Sequence, residues 1–354
     1  MFARTLNSLF RLKCIALLIC FFAHFHIALA QTSTPFPEPI DIVYLWVDGS
    51  DPEWFAIKSH YQRALTPQSA PTQDAHTINR FCDNEELRYS LRSILKYAPF
   101  FNHIYIVTMN QIPKWLKPHP DITIVDHTEI FLNQHDLPTF NSQALECNLH
   151  RIPNLKEHFI YFNDDVLLGR RVSPFDFFTL DGKVKVLFES SLSPSGPPND
   201  NETTYRTAWR NTNALLDMFY IQEPRYRLCH APFALKKSYI EATEEEFPFI
   251  FSSNSSHKFR CKEDYNVTNG LFQYHWLYHD KVEKGDLSNL MVTLRADEWI
   301  IRTKRAIARL KSEHPHTFCL QDNMDEKSDV TKRMLRELLE SWYPEPAPWE
   351  KEVY

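Results

Sequence analysis

The stretch LPTFNSQALECNLHRIPNLKEHFIYFNDDV, residues 137–166, decides how the chain is read. It opens on a turn-forming Pro138 and a polar loop, Thr139-Phe140-Asn141-Ser142. A short helical pattern follows, then a strand, Phe159–Phe162, that runs into Asn163-Asp164-Asp165. Two adjacent carboxylates just past a buried strand are costly unless a metal ion or strong hydrogen bonds receive them. At the carboxyl end of a strand they can face the crevice where α/β proteins bind ligands.

Working outward from this corner, Ile40–Val47 is nearly all apolar with no alternation. That is the pattern of a strand buried on both faces of a parallel sheet. It stops at Asp48-Gly49-Ser50-Asp51-Pro52, a turn by composition. Asp48 and Asp51 read either as turn residues or as metal or nucleotide contacts at the sheet edge. A polar segment from Lys58 to Asn79 is expected to be helix and loop. Asp83 can cap the next helix, with Glu85 and Glu86 in its first turn and Leu87, Leu91, Ile94 and Leu95 as its apolar stripe. Ile104–Thr108 and Ile122–Val125 read as strands, with a short helix over Ile112–Leu116 between them, and Val184–Glu189 as one more. Strands alternating with helices predict an α/β fold with right-handed crossovers. Residues 190–206 read as an exposed loop or insertion. The rest is expected to be mainly helical, over 207–218, 234–247, 263–281, 296–312 and 327–342.

Length and composition narrow the function. The 354 residues, 43% hydrophobic and 24% charged, are those of a globular chain of one large or two ordinary domains. A net charge of -6 argues against a nucleic-acid binder. The six glycines are too scattered for a dinucleotide fingerprint or a P-loop. Phosphate, if it is handled, must meet metal, Arg, Lys or helix termini. Arg4, Arg11 and Lys13 precede an apolar run, Cys14–Phe25, and Ala28-Leu29-Ala30 is a cleavage signal. Residues 1–30 therefore read as a signal peptide, or as an uncleaved anchor that tethers the chain to a membrane through residues 14–30. Residues 31–39 read as a linker. The mature chain then faces a secretory lumen, the exterior or a periplasm. Sequons at Asn201, Asn254 and Asn266 fit a glycoprotein. Cys82, Cys147, Cys229, Cys261 and Cys319 allow one or two disulfides or buried free thiols.

Several residues could carry chemistry. Asp164 and Asp165 form an oxygen-ligand pair suited to Mg²⁺, Mn²⁺ or Ca²⁺. Arg80, Asp83, Asn84, Arg88 and Arg92 lie at or on the helix near Asp83. Arg88 and Arg92 either pair with Glu85 and Glu86 or read phosphate, which suits a planar guanidinium. His230, in Leu-Cys-His-Ala-Pro, is structural or a general base toward a hydroxyl. Arg260, in Lys-Phe-Arg-Cys-Lys, could stabilise a phosphoryl transition state. Spacing alone does not bring His230 and Arg260 together.

The chain resembles the Stealth proteins, which include bacterial capsule sugar-1-phosphate transferases and the α/β subunit of N-acetylglucosamine-1-phosphotransferase. Four regions carry the resemblance in order. The first is DIVYLWVDGSDPEWF (41–55). The second is RFCDNEELRYSLRSILKYAPFFNHIYIVTM (80–109), then QIPKWL (111–116), IVDH (124–127) and residues 137–167. The third runs from His230-Ala-Pro through HKFRCKEDYNVTN (257–269). The fourth is CLQDNMDE (319–326) with YPEPAPWE (343–350). The resemblance implies a single catalytic domain over 40–354 with a Rossmann-like core similar to nucleotide-sugar transferases. It implies transfer of a sugar 1-phosphate from a nucleotide sugar, typically UDP-linked, to a hydroxyl of a glycan acceptor, with Mg²⁺ or Mn²⁺. By position, Asp48 matches the first-region acid and Asp164 and Asp165 the acidic corner. His230 and Arg260 match the pair acting on the transferred phosphate, and Asp322 and Asn323 a polar pair of the fourth region. Arg80, Asp83, Arg88, Thr139, Asn141 and Ser142 become candidates for donor or acceptor contact. One departure stands in the fourth region, where Gln321-Asp322 replaces the commoner Asn-Asp. The rival readings are a nucleotide-sugar glycosyltransferase and a non-enzymatic carbohydrate-binding protein.

Overall fold

The computed structural model describes residues 36–64, 80–199, 201–324 and 328–351. The expected signal segment, the start of the linker and the loop over 65–79 lie outside them. Twelve strands are named in chain order: β1 (Ile40–Leu45), β2 (Phe101–Thr108), β3 (Ile122–Asp126), β4 (His158–Asn163), β5 (Val166–Leu168), β6 (Val184–Val186), β7 (Phe188–Leu192), β8 (Tyr226–Leu228), β9 (Phe233–Lys236), β10 (Val282–Lys284), β11 (Asn289–Arg295) and β12 (Thr317–Asn323).

β1 is buried at every position, as its unalternating apolar run predicts. It is the middle strand of a sheet ordered β3-β2-β1-β4-β9, in which the first four strands are parallel and β9 is antiparallel. The chain leaves β1 to build β2 and β3 on one side, then returns to lay β4 on the other. That reversal between β1 and β4 is a topological switch point, where open α/β sheets leave a crevice beyond the carboxyl ends of their strands. Leu45 lies opposite Asn163 there. The two acidic turns found in the sequence, Asp48 after β1 and Asp164-Asp165 after β4, therefore leave the sheet side by side.

Local chemistry fixes this arrangement. Asp51 caps the helix Pro52–Arg63 by accepting from the amides of Glu53 and Trp54. Gly49 donates its amide to the Phe81 carbonyl at 2.7 Å, and a Cβ at Gly49 would lie 2.3 Å from that oxygen. Only glycine lets the β1 turn come this close to the segment that carries Asp83. The helix Glu86–Tyr97 docks on the corner through Ser90, which bonds Tyr44 and the Val166 carbonyl, and Ser93, which receives the Leu168 amide. A second sheet, β11-β12-β5, joins the end of the chain to the acidic corner: β12 runs antiparallel to β5, and the Leu320 amide donates to the Asp165 carbonyl. Its core includes Val292, Leu294, Phe318, Leu320 and Leu335.

Several expectations are corrected. Asp83 does not cap the following helix; Glu85 stands at its N-cap in the left-handed region, and Asp83 accepts from the Glu85 amide. Residues 112–116 form no helix, because Leu116 bridges to Glu350. The helix expected over 234–247 begins only at Lys237, since Phe233–Lys236 pair with β4. The stretch 263–281 is helical only from Val267 to Tyr278. The helix Pro248–Ser256 and the strands β10 to β12 were not expected, so the second half is helical but not only so. Among the described residues Cys82, Cys147, Cys229, Cys261 and Cys319 are free thiols. Asn254 and Asn266 are buried, and Asn254 bonds the backbone of Tyr265 at both ends of its amide, so neither presents a folded-state sequon; Asn201 is exposed. Among the described residues no helix is long and apolar enough to cross a membrane.

Candidate active site at the sheet switch point

Asp164 and Asp165 form the turn between β4 and β5. Burial, and after it the like charges of Asp165, Glu86 and Asp83, push Asp164 well above the usual carboxylate range. Burial acts the same way on Asp165, but His230 beside it and the Cys319 thiol at 3.2 Å outweigh burial and hold Asp165 below its ordinary value. Asp83 is pushed to about 6, mainly by burial, and Glu86 to about 8 for the same reason. Asp322, at the end of β12, is also raised by burial and accepts from Asn84 at 3.2 Å. Asn84 also donates to Glu86 at 2.8 Å, which ties Glu86 to Asp322 through one amide. Asp83, Glu86, Asp164, Asp165 and Asp322 thus make one acidic crevice assembled from distant parts of the chain. Such crowding is relieved by protons or by a cation.

His230 stands on the other flank. Its Nε2 lies 3.4 Å from Asp165 Oδ1 and 2.8 Å from Asn163 Nδ2. Side-chain exposures of 31% for His230 and 26% for Asp165 leave both open to a substrate. Burial lowers the His230 pKa, but the charge and hydrogen bond of Asp165 raise it further, and the net shift is upward. Asn163 opposes this. Tyr161 donates to Asn163 Oδ1 at 2.6 Å, which turns the Asn163 amide hydrogens toward the ring. An amide donor suits a neutral imidazole whose Nε2 carries a lone pair. Arg260 donates to Ser142 Oγ at 2.6 Å and interacts with both Glu146 and His230. The structure therefore joins His230 and Arg260, which spacing could not.

The remaining sequence candidates divide. Asp48 is near Asp83 and receives Ser50 through amide and hydroxyl, with Lys114 at 3.8 Å. Ser142 reaches the site through Arg260. Thr139 and Asn141 are buried, and Asn141 spends its amide on Asp264 and its carbonyl on the Gln143 amide, which orders the loop that carries Ser142. Arg88 bonds Glu350 at 2.6 Å, as does Arg92 at 2.5 Å, so both guanidinium groups are engaged by one buried carboxylate. Arg80 leads into Phe81 at the close approach to Gly49, and Asn323 is exposed at the tip of β12. Sequence reasoning placed Glu86 in a helix's first turn, named Asn163 and Cys319 without a role in the site, and passed over Glu146. Their signal was faint, since Glu146 and Asn163 close short elements and Cys319 sits in an apolar strand.

Clefts open near the sheet as well. One of about 310 Å³ lies beyond β2 and β3, lined by Tyr61, Met109, Asp126, Leu137 and Pro138 among others. Another, of about 490 Å³, lies against His150, Arg151 and Glu244 and holds none of the corner's residues.

A cation has donors here. Asp165, His230 and Cys319 present ligand atoms within 4.8 Å of one another. Burial raises the Cys319 thiol well above its usual range, which keeps it protonated and a poor ligand. The carboxylates Asp164 and Asp165, backed by Asp83 and Asp322, are the better donors, and an all-oxygen set suits a hard divalent ion.

Fold and site define an α/β protein with an acidic, histidine-flanked crevice at the switch point of a mostly parallel sheet. The chain belongs to the Stealth family: it matches Stealth conserved region 1 over residues 38–65, region 2 over 80–186 and region 4 over 308–353. It is 36% identical over 316 residues to an exopolysaccharide phosphotransferase of Streptomyces coelicolor, covering 88% of this chain and 52% of that one. The exopolysaccharide phosphotransferase CpsY of Mycobacterium leprae is 33% identical over 88% of this chain and 57% of its own length. The chain thus spans little more than half of these relatives. Among solved structures, the galactosyltransferase LgtC in complex with donor and acceptor sugar analogs aligns over 85% of this chain and 96% of that one, with 11% identity and a TM-score of 0.43.

Proposed function

We propose that the chain transfers a sugar 1-phosphate, of a hexose or N-acetylhexosamine, from a nucleotide sugar, UDP-linked by preference, to a hydroxyl of a glycan acceptor. The product is a phosphodiester and the leaving group a nucleoside monophosphate. The observation that carries this reading is the junction of His230, Asp165 and Arg260 beside the acidic crevice, in a chain whose relatives bear the name exopolysaccharide phosphotransferase.

His230 takes the acceptor hydroxyl's proton on Nε2, and Asp165 stabilises the imidazolium that forms. Arg260, steadied by Ser142, faces the charge gathering on the transferred phosphoryl group. Asp164 and Asp165 would hold a divalent ion, Mg²⁺ or Mn²⁺, which would offset the charge of the donor's diphosphate. The apolar cleft beside Tyr61, Met109 and Pro138 takes the nucleoside. Such chemistry is accelerated mainly by positioning and by fixed charge.

The test is a panel of nucleotide sugars with the purified protein and glycan acceptors. Acceptor-dependent release of nucleoside monophosphate is expected, and its loss in His230→Ala. Release of nucleoside diphosphate instead, or unchanged transfer by His230→Ala, would overturn the reading.

A further inference from the structure

The helices Thr204–Phe219, Lys237–Glu246 and Phe272–Tyr278 end close together. Tyr220 follows the first as its C-cap, Glu246 is the last residue of the second, and His279 follows the third. Their convergence is seen in side-chain contacts. The Tyr220 hydroxyl lies 2.6 Å from His275 Nδ1 and 3.2 Å from His279 Nε2. His275 Nε2 lies 3.7 Å from Glu246 Oε2. Phe247 packs on both Phe219 and His275.

From this geometry we infer a transition-metal site, of the class that takes Zn²⁺, formed by Glu246, His275 and His279. Each presents one ligand atom, and these atoms lie within 4.8 Å of one another. His275 and His279 are one turn apart, so their rings share a helix face, with centroids 4.7 Å apart. Small side-chain rotations bring two imidazoles and a carboxylate to the roughly 2 Å ligand distances of zinc. Tyr220 supplies the support that metal-bound histidines usually have. By accepting from Nδ1–H of His275 it leaves the lone pair on Nε2, the nitrogen that faces Glu246.

A second, independent observation favours a cation. Three helix C-termini meet here, and each presents the negative end of its dipole. The nearby ammonium of Lys281 is drawn aside, over the ring of Tyr239 at 4.7 Å. Glu246 and His279 are exposed, which gives an ion a way in, while His275 is buried. The set differs from the catalytic crevice in chemistry as well as place. Two imidazoles and one carboxylate select a borderline ion such as Zn²⁺ over Mg²⁺. Bound there, the ion ties three helices of the C-terminal half together.

The test is titration of chelator-treated protein with Zn²⁺ and, separately, with Co²⁺. One equivalent of Zn²⁺ should bind and raise the melting temperature. His279→Ala and Glu246→Gln alter exposed side chains, so circular dichroism should show them folded, and each should weaken binding by more than about tenfold. Tyr220→Phe should weaken it as well. The Co²⁺ form should show ligand-field bands without a sulfur-to-cobalt charge-transfer band. That band would mean a cysteine-containing set such as His257, Cys261 and Asp264, and would overturn the assignment. Unchanged affinity in His279→Ala, or no stoichiometric uptake, would overturn it too.

Discussion

His230 has two neighbours that pull its proton in opposite directions. Asp165 favours the imidazolium, and the Asn163 amide favours the neutral ring. The net upward shift means that the ring's titration, followed by NMR, should have its midpoint above the ordinary 6.5. Transfer should climb with pH through that midpoint, because only the neutral ring accepts a proton. Asp165→Asn should lower the midpoint, and loss of Asn163 should raise it. His230→Ala should cost on the order of 10²–10⁴-fold in kcat with donor affinity nearly unchanged. At this scale the sequence was legible where a residue type is rare in its setting: paired aspartates past an apolar strand stand out. Asn163 did not, since an asparagine before two aspartates reads as turn punctuation. Its role comes from β9, which places His230 opposite it, and that strand pairing is not local information.

The helix Glu86–Tyr97 shows what pattern alone leaves open. Its apolar stripe was readable, but the partner of its polar face was not. Arg88 and Arg92 suit phosphate or a carboxylate equally well by type, and the carboxylate chosen is Glu350, 258 positions beyond Arg92. Glu350 is almost wholly buried, so removing it strands two guanidinium groups. Glu350→Ala should lower unfolding free energy by about 3–5 kcal/mol in a denaturant titration. Arg88→Lys should likewise act on stability and leave the donor KM unchanged; a raised KM with intact stability would return Arg88 to the substrate. The β1 turn makes a sharper case. Gly49→Ala must push the turn off Phe81, at a cost of roughly 1–3 kcal/mol, and spread Asp48 from Asp83. The need for glycine was invisible in sequence, because nothing there shows the Phe81 carbonyl beneath it.

For the whole molecule, the parallel sheet was legible because β1 and β4 are buried on both faces and therefore lack alternation. The β11-β12-β5 sheet was not, since β12 pairs with β5 through residues 149 positions apart, Thr317 and Leu168. Yet that long-range pairing brings Asp322 to the crevice and completes its charge. The crevice governs stability in a definite direction. Asp83 and Glu86 have folded-state values of about 6 and 8, above their ordinary 3.8 and 4.5. A raised carboxylate gives stability that is present in full below its unfolded value and lost as pH rises through its folded one. Metal-free protein should therefore lose on the order of a few kcal/mol between about pH 4 and pH 8. Added Mg²⁺ or Mn²⁺ should restore most of it at the alkaline end, and a melting temperature independent of both pH and cation would contradict the crevice as described. The central claim concerns which bond is broken, and isotope answers it most directly. A nucleotide sugar labelled in its β-phosphate, incubated with the protein and a glycan acceptor, should deliver the label to the glycan and leave unlabelled nucleoside monophosphate. Label retained in a released nucleoside diphosphate would mean that the sugar moves without its phosphate, and would contradict the account.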